Sequence, residues 1–97
     1  MNYKKYQLTP DITKKARLLS LAGDETRIRI LCLMFEYGEA CVTDIAESLG
    51  SSVANISNHL QPMKDNGYFI SERMGNNVCY KLVDNEFNKS LKKIICD

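Results

Sequence analysis

Apolar residues recur along this chain in blocks whose spacing changes from helical to alternating and back, and those changes delimit the elements. Ile12, Ala16, Leu19 and Ala22 step by threes and fours after Pro10, which predicts a first amphipathic helix stopped by Gly23. Asp24 is positioned to cap a second helix over 25–38, where Ile28, Leu31, Cys32 and Phe35 form one face. Ile30, Leu33 and Met34 widen that face into a belt, which suits a central helix. Within 39–50, Thr43 is a candidate N-cap, Asp44 and Glu47 fall in the first turn and Gly50 is a stop, so a short third helix is expected. Only Ser51 and Ser52 separate it from a fourth helix that turns Ile56, Leu60 and Met63 inward and runs to Gly67. Two helices joined by so tight a turn form a helix-turn-helix.

Beyond Tyr68 the period falls to two. Val78, Tyr80 and Leu82 share one face and Cys79 and Lys81 the other, around a Gly75-Asn76-Asn77 turn, which predicts a β-hairpin. Helical spacing returns at Phe87, Leu91, Ile94 and Ile95, behind Asp84 or Asn85 as cap. The order predicts a mainly α (α+β) winged helix-turn-helix, with about five helices and a two-stranded β-hairpin wing. Pro62 interrupts the fourth helix, because it lacks the amide that would bond to Asn58, and a bend near Asn58 is expected.

Composition adds bounds to this picture. With 97 residues, 44% of them hydrophobic and 26% charged, the chain fits one globular domain over 1–97. No stretch approaches the roughly 18 apolar residues of a membrane helix, and no apolar run follows the basic residues of the opening segment, so a cytoplasmic protein with no membrane contact is expected. Cys32, Cys41, Cys79 and Cys96 are widely and irregularly spaced, without CxxC pairs, and are expected to be mostly thiols.

Three pieces of this sequence resemble the ArsR/SmtB family of bacterial and archaeal repressors: "LAGDETRIRIL", "CVTDIAESLG", and the S-x-x-x-x-S-x-H-L pattern of Ser52, Ser57, His59 and Leu60 ahead of Gly67 and the hairpin. The resemblance implies a homodimer that sets each fourth helix in a major groove of a double-stranded DNA operator, with the hairpin against the flanking backbone or minor groove. The residues agree. With the apolar face inward, Ser51, Ser52, Asn55, Ser57, Asn58 and His59 are candidates for the reading surface, where amides can pair bidentately with adenine. Arg73, Asn76 and Asn77 are the candidates on the wing. Dimerisation is expected through the first and last helices, since Leu18, Leu21, Phe87, Leu91 and Ile94 offer more apolar surface than one small core hides.

Charge is unusual for a DNA reader. The net charge is +1, and between Gly50 and Tyr80 Lys64 and Arg73 are balanced by Asp65 and Glu72. Phosphate neutralisation normally supplies most non-specific affinity. The basic residues cluster instead at Lys4, Lys5, Lys14, Lys15, Arg17, Lys89, Lys92 and Lys93, so either the ends approach DNA or binding leans on backbone amides and helix N-termini.

For the inducing signal, the resemblance offers two readings. Repressors of the persulfide- and redox-responsive subfamily carry one cysteine in the second helix and one near the end of the last; here those are Cys32 and Cys96, with Lys92 and Lys93 one turn before the latter. Oxidation or persulfidation would link the two and shift the last helix. The alternative is a metal- or arsenical-responsive repressor, for which Cys41 and Asp44 match the start of the family's third-helix motif. Thr43 stands where that motif has its second cysteine, and the N-terminal segment has neither Cys nor His, so no metal or other cofactor is expected. Cys79 reads as structural or incidental. One histidine, no nucleophile-base grouping and no phosphate-binding loop argue against an enzyme. A winged helix that binds protein and answers to no small effector is the remaining alternative.

Overall fold

A computed structural model describes residues 2–96. Five helices and three strands follow in the order α1 (Pro10–Ala22), α2 (Glu25–Tyr37), β1 (Glu39–Cys41), α3 (Val42–Leu49), α4 (Val53–Asp65), β2 (Phe69–Met74), β3 (Asn77–Leu82) and α5 (Glu86–Ile95). Local chemistry starts each long helix. Thr9 Oγ1 accepts from the Ile12 amide ahead of Pro10, Asp24 Oδ2 from Arg27, Ser52 Oγ from Asn55 and Asn85 Oδ1 from Asn88, so each cap satisfies an amide that the first turn leaves free. Asn85, rather than Asp84, caps α5.

The third helix departs from the sequence reading. Its N-cap is Cys41, which makes no capping bond, while Thr43 lies inside the helix and its hydroxyl accepts from Asn77 Nδ2 of the wing at 2.8 Å. Gly50 ends α3 in the left-handed region, φ 66, and this permits the immediate turn into α4. Arg29 Nη2 donates to the Leu49 carbonyl at 2.8 Å, tying the turn to α2. Helix α4 continues through Pro62 to Asp65, with the proline in its last turn, where Asn66 Nδ2 donates to the Pro62 carbonyl.

The sheet has three antiparallel strands in the order β1-β3-β2, one more than the expected hairpin. Strand β1 is three residues long and pairs Glu39 with Lys81, Ala40 with Tyr80 and Cys41 with Cys79. So short a strand leaves no alternation to read, and β3 supplies its partners from far along the chain. Gly38, at φ 82, lets the chain leave α2 and enter this edge directly.

The core forms where these elements meet. Ile30, Leu31 and Met34 of α2 are fully buried against Val42 and Ile45 of α3, Ile56, Leu60 and Met63 of α4, Tyr68 of the corner after α4, Phe69 and Tyr80 of the sheet, and Leu91 of α5. The buried stripe of α2 takes Leu31 from the expected face and Ile30 and Met34 from the widening set, while Ile28, Cys32, Leu33 and Phe35 stay half-buried at its rim. Helix α1 also differs: Leu18, Leu21 and Ala22 face the core, whereas Leu19 is 60% and Ile12 40% exposed. Of the five residues expected to form dimer surface, Leu18, Leu21, Phe87 and Leu91 pack on the protomer's own core, and only Ile94, 78% exposed, remains open.

The corner after α4 is held by α5. Asn88, the one buried polar residue among the described residues, donates from Nδ2 to the carbonyls of Tyr68 and Val83 at 3.1 and 2.7 Å. Asn85 Nδ2 reaches the Gly67 carbonyl, the Tyr68 hydroxyl donates to the Leu18 carbonyl of α1, and Phe87 packs edge-on to the Tyr68 ring at 5.3 Å. Burial pushes the Tyr68 phenol up to about 12. The first turn of α5 thus clamps the exit of α4.

Candidate nucleic-acid interface and cysteine pairs

Helix α4 lies on the core through Ile56, Leu60 and Met63, so its other faces meet solvent. Ser52, Asn55 and Asn58 are exposed, and Ser51, Ser57 and His59 are half-buried. Asn55 Nδ2 donates to Ser51 Oγ at 2.8 Å, whereas Asn58 makes no side-chain hydrogen bond among the described residues. His59 leans away from them: its Nδ1 is 3.9 Å from Asp24 Oδ2 at the start of α2. The Arg27 amide donated to Asp24 holds that carboxyl below its usual range, with Arg27 and His59 adding attraction.

On the wing, Arg73 and Asn76 are exposed. Asn77 is engaged with Thr43 and accepts the Val78 amide through its own Oδ1, so it joins the wing to α3. Helix α4 and the wing carry little charge, and hydrogen bonds join Ser51 to Asn55 and Thr43 to Asn77 within this region.

The four cysteines form two pairs. Cys32 on α2 and Cys96 just after α5 are free thiols whose sulfurs lie 3.5 Å apart, the Cys96 thiol donating to Cys32. Burial, with the Cys96 hydrogen bond next, pushes the Cys32 thiol up, so Cys32 rests protonated. Cys41 and Cys79 are joined by a disulfide between cross-strand partners whose Cα atoms are 3.7 Å apart. Two of the four are thiols and two are bonded, where mostly thiols were expected, and of the two readings of Cys79, structural or incidental, the bond favours the structural one. Register places Cys79 opposite Cys41, and the shortness of β1 hid that. The bond also removes Cys41 as a free ligand beside Asp44, and among the described residues no three His, Cys, Asp or Glu side chains converge on a metal position.

The comparisons with known proteins agree with this architecture. Residues 24–70 match the family described as "Bacterial regulatory protein, arsR family". The arsenical resistance operon repressor of Escherichia coli K12 is 36% identical over 66 residues, 68% of this chain and 56% of that protein. The HTH-type transcriptional regulator MJ1325 of Methanocaldococcus jannaschii is 32% identical over 81 residues, 84% of this chain and 91% of that one. Among solved structures, the antimony-specific transcriptional repressor AntR superposes with a TM-score of 0.79 at 29% identity, covering 96% of this chain and 85% of that one. The chain spans somewhat over half the length of the first curated relatives it matches. These relatives are regulators rather than enzymes, and a turn-joined α3–α4 pair, an adjoining wing and matched sequence over the same residues together show that the chain belongs to the ArsR family of winged helix-turn-helix proteins.

Proposed function

We propose that this chain is a cytoplasmic transcriptional repressor that binds a double-stranded DNA operator as a homodimer and is released when Cys32 and Cys96 become linked. The observation that carries the reading is the 3.5 Å approach of those two sulfurs across the contact between α2 and the end of α5. A peroxide oxidant would convert one thiol to a sulfenic acid with loss of water, and the second thiol would displace a further water to close the disulfide. A persulfide donor would instead transfer a sulfur to one thiol and leave the other to close a disulfide with release of sulfide; where both thiols are first persulfidated, one persulfide displaces sulfide from the other and leaves a trisulfide. Linking shifts the C-terminal end of α5, whose first turn clamps the exit of α4 through Asn85 and Asn88. A coupling of about 1–3 kcal/mol is enough for such a switch.

The DNA interface consists of Ser51, Ser52, Asn55, Ser57, Asn58 and His59 on α4, with Arg73, Asn76 and Asn77 on the wing. Exposure of Asn55 and Asn58 above an inward apolar face supports it. Dimerisation uses α1 and α5, supported by the exposed Ile12, Leu19 and Ile94 and by the apolar Tyr3, Tyr6 and Leu8 ahead of α1. Binding of a fluorescent duplex from the region upstream of its own gene tests the reading. A persulfide donor should release it, glutathione should restore it, and Cys32→Ser and Cys96→Ser should each stay bound. Release unchanged in both variants would falsify the switch. Asn58→Ala should weaken binding by about 1–3 kcal/mol, and Asn55→Ala by less, because Asn55 must first exchange its bond to Ser51.

An arsenical or metal signal is the second reading, favoured by the arsenical and antimony repressors among the relatives. It requires a free Cys41 thiolate beside Asp44, and hence reduction of the Cys41–Cys79 bond. Arsenite release that survives in Cys32→Ser/Cys96→Ser but fails in Cys41→Ser would establish it.

A further inference from the structure

The Cys41–Cys79 bond closes a ring of chain with a sequence separation of 38. Every residue proposed to read DNA, from Ser51 to Asn77, lies inside that ring, whereas Cys32 and Cys96 lie outside it. Cys41 is both the last residue of β1 and the N-cap of α3, and Cys79 sits two residues past the wing turn partner Asn77 on the inner strand β3. The bond therefore joins the first helix of the helix-turn-helix to the wing, beside the Asn77–Thr43 hydrogen bond that spans the same seam. The Leu82 amide bonds to the Gly38 carbonyl, and alternation from there makes Cys41 and Cys79 a non-hydrogen-bonded pair, the position where antiparallel side chains come closest.

A cavity of about 300 Å³ opens beside the two sulfurs, lined by Glu39, Asp44, Glu72 and Met74, with three carboxylates and no Lys or Arg. It admits a small thiol and repels an anionic one. In reducing compartments a disulfide that does form is usually redox-active rather than inert.

We propose that Cys41 and Cys79 form a second thiol–disulfide couple, reached by small uncharged dithiols through this acidic cavity, whose closed form holds the helix-turn-helix and wing in the arrangement that binds the operator. The proposal rests on the DNA-binding reading above. In the opening step a dithiol thiolate attacks one of the two sulfurs, the S–S bond breaks and its electron pair leaves on the other, which takes a proton. The reagent's second thiol then attacks the mixed disulfide, freeing the second protein thiol and leaving as a cyclic disulfide. Two electrons and two protons pass to the protein, and an oxidised dithiol reverses the exchange. Because the residues of the ring from Cys41 to Cys79 carry more carboxylates (Asp44, Glu47, Asp65, Glu72) than cations (Lys64, Arg73), affinity for DNA depends on pre-ordering, which the ring supplies. The two couples then act with opposite sign: linking Cys32 to Cys96 releases DNA, while linking Cys41 to Cys79 retains it.

The test uses the full chain as Cys32→Ser/Cys96→Ser, which leaves only the second couple. Dithiothreitol should open it, read by alkylation and intact mass, far faster than glutathione at equal thiolate concentration. Opening should weaken duplex binding at least about fivefold, raise hydrogen exchange across β1 and β3, and be reversed by oxidised dithiothreitol. Adding Cys79→Ser should reproduce the weakened state and abolish the response to dithiothreitol. Equal affinity of the open and closed forms, with exchange at the seam changed, overturns the proposal and leaves the DNA reading standing. Failure of every form to bind the duplex overturns both, and peptide mapping that finds Cys41 and Cys79 unlinked in the oxidised protein overturns the couple itself.

Discussion

The two cysteine pairs of this protein reach similar proximity by unlike means. Cys32 and Cys96 meet where the end of α5 crosses α2, a helix contact in which sulfur separation varies with a small slide or tilt, and the two remain thiols 3.5 Å apart. Cys41 and Cys79 meet because strand pairing sets them opposite one another, and they are bonded. A helix crossing can yield to a signal, whereas a ladder register is discrete and changes only by slipping a whole residue. The first pair is therefore suited to report a shift and the second to prevent one.

The strongest way to break that contrast is to open the bonded pair. Chain-entropy arguments for a ring with a separation of 38 give a loss of about 4 kcal/mol. In Cys32→Ser/Cys96→Ser, reduction should lower the melting temperature by about 15 °C or more, read by circular dichroism with and without dithiothreitol. A change of only a degree or two would mean that β1 is held by its backbone bonds alone.

The next largest effect belongs to Asn88, which ties the first turn of α5 to the exit of α4. Asn88→Ala removes both side-chain bonds to the Tyr68 and Val83 carbonyls, and urea unfolding should show a loss of about 1–3 kcal/mol. If α5 acts as a lever between the thiols and α4, the same variant should still form the Cys32–Cys96 link but release DNA less completely. Undiminished release would remove the clamp from the pathway.

A smaller difference appears in alkali. The folded protein holds the Cys32 thiol and the Tyr68 phenol above their ordinary values, so it favours the neutral forms. Their contribution is complete below the unfolded values, about 8.5 for a thiol and about 10 for a phenol, and is lost as pH rises through the folded ones, about 12 for Tyr68. Stability measured from about pH 8 upward should fall, and Cys32→Ser should flatten the first part of that fall. The bonded pair does not titrate, so Cys79→Ser should leave its shape unaltered below about pH 8.5.

Much of this molecule is written in short-range pattern. Apolar spacing and side-chain caps act within a turn or two, so α2, α4 and α5, the cap Asp24, and the turn between α3 and α4 follow from the sequence, which narrows the cap of α5 to Asp84 or Asn85. So does the inward set Ile56, Leu60 and Met63, which leaves Asn55 and Asn58 outside. The contacts that only the tertiary structure decided are those made across long separations. Three residues of β1 have no periodicity of their own, and their register against β3 paired Cys41 with Cys79. Thr43, a plausible cap by local rules, was taken by Asn77 of the wing instead. Which apolar residues of α1 and α5 stay outside was likewise settled by how the helices seat on one core, since helical spacing defines a face but not the direction in which it turns.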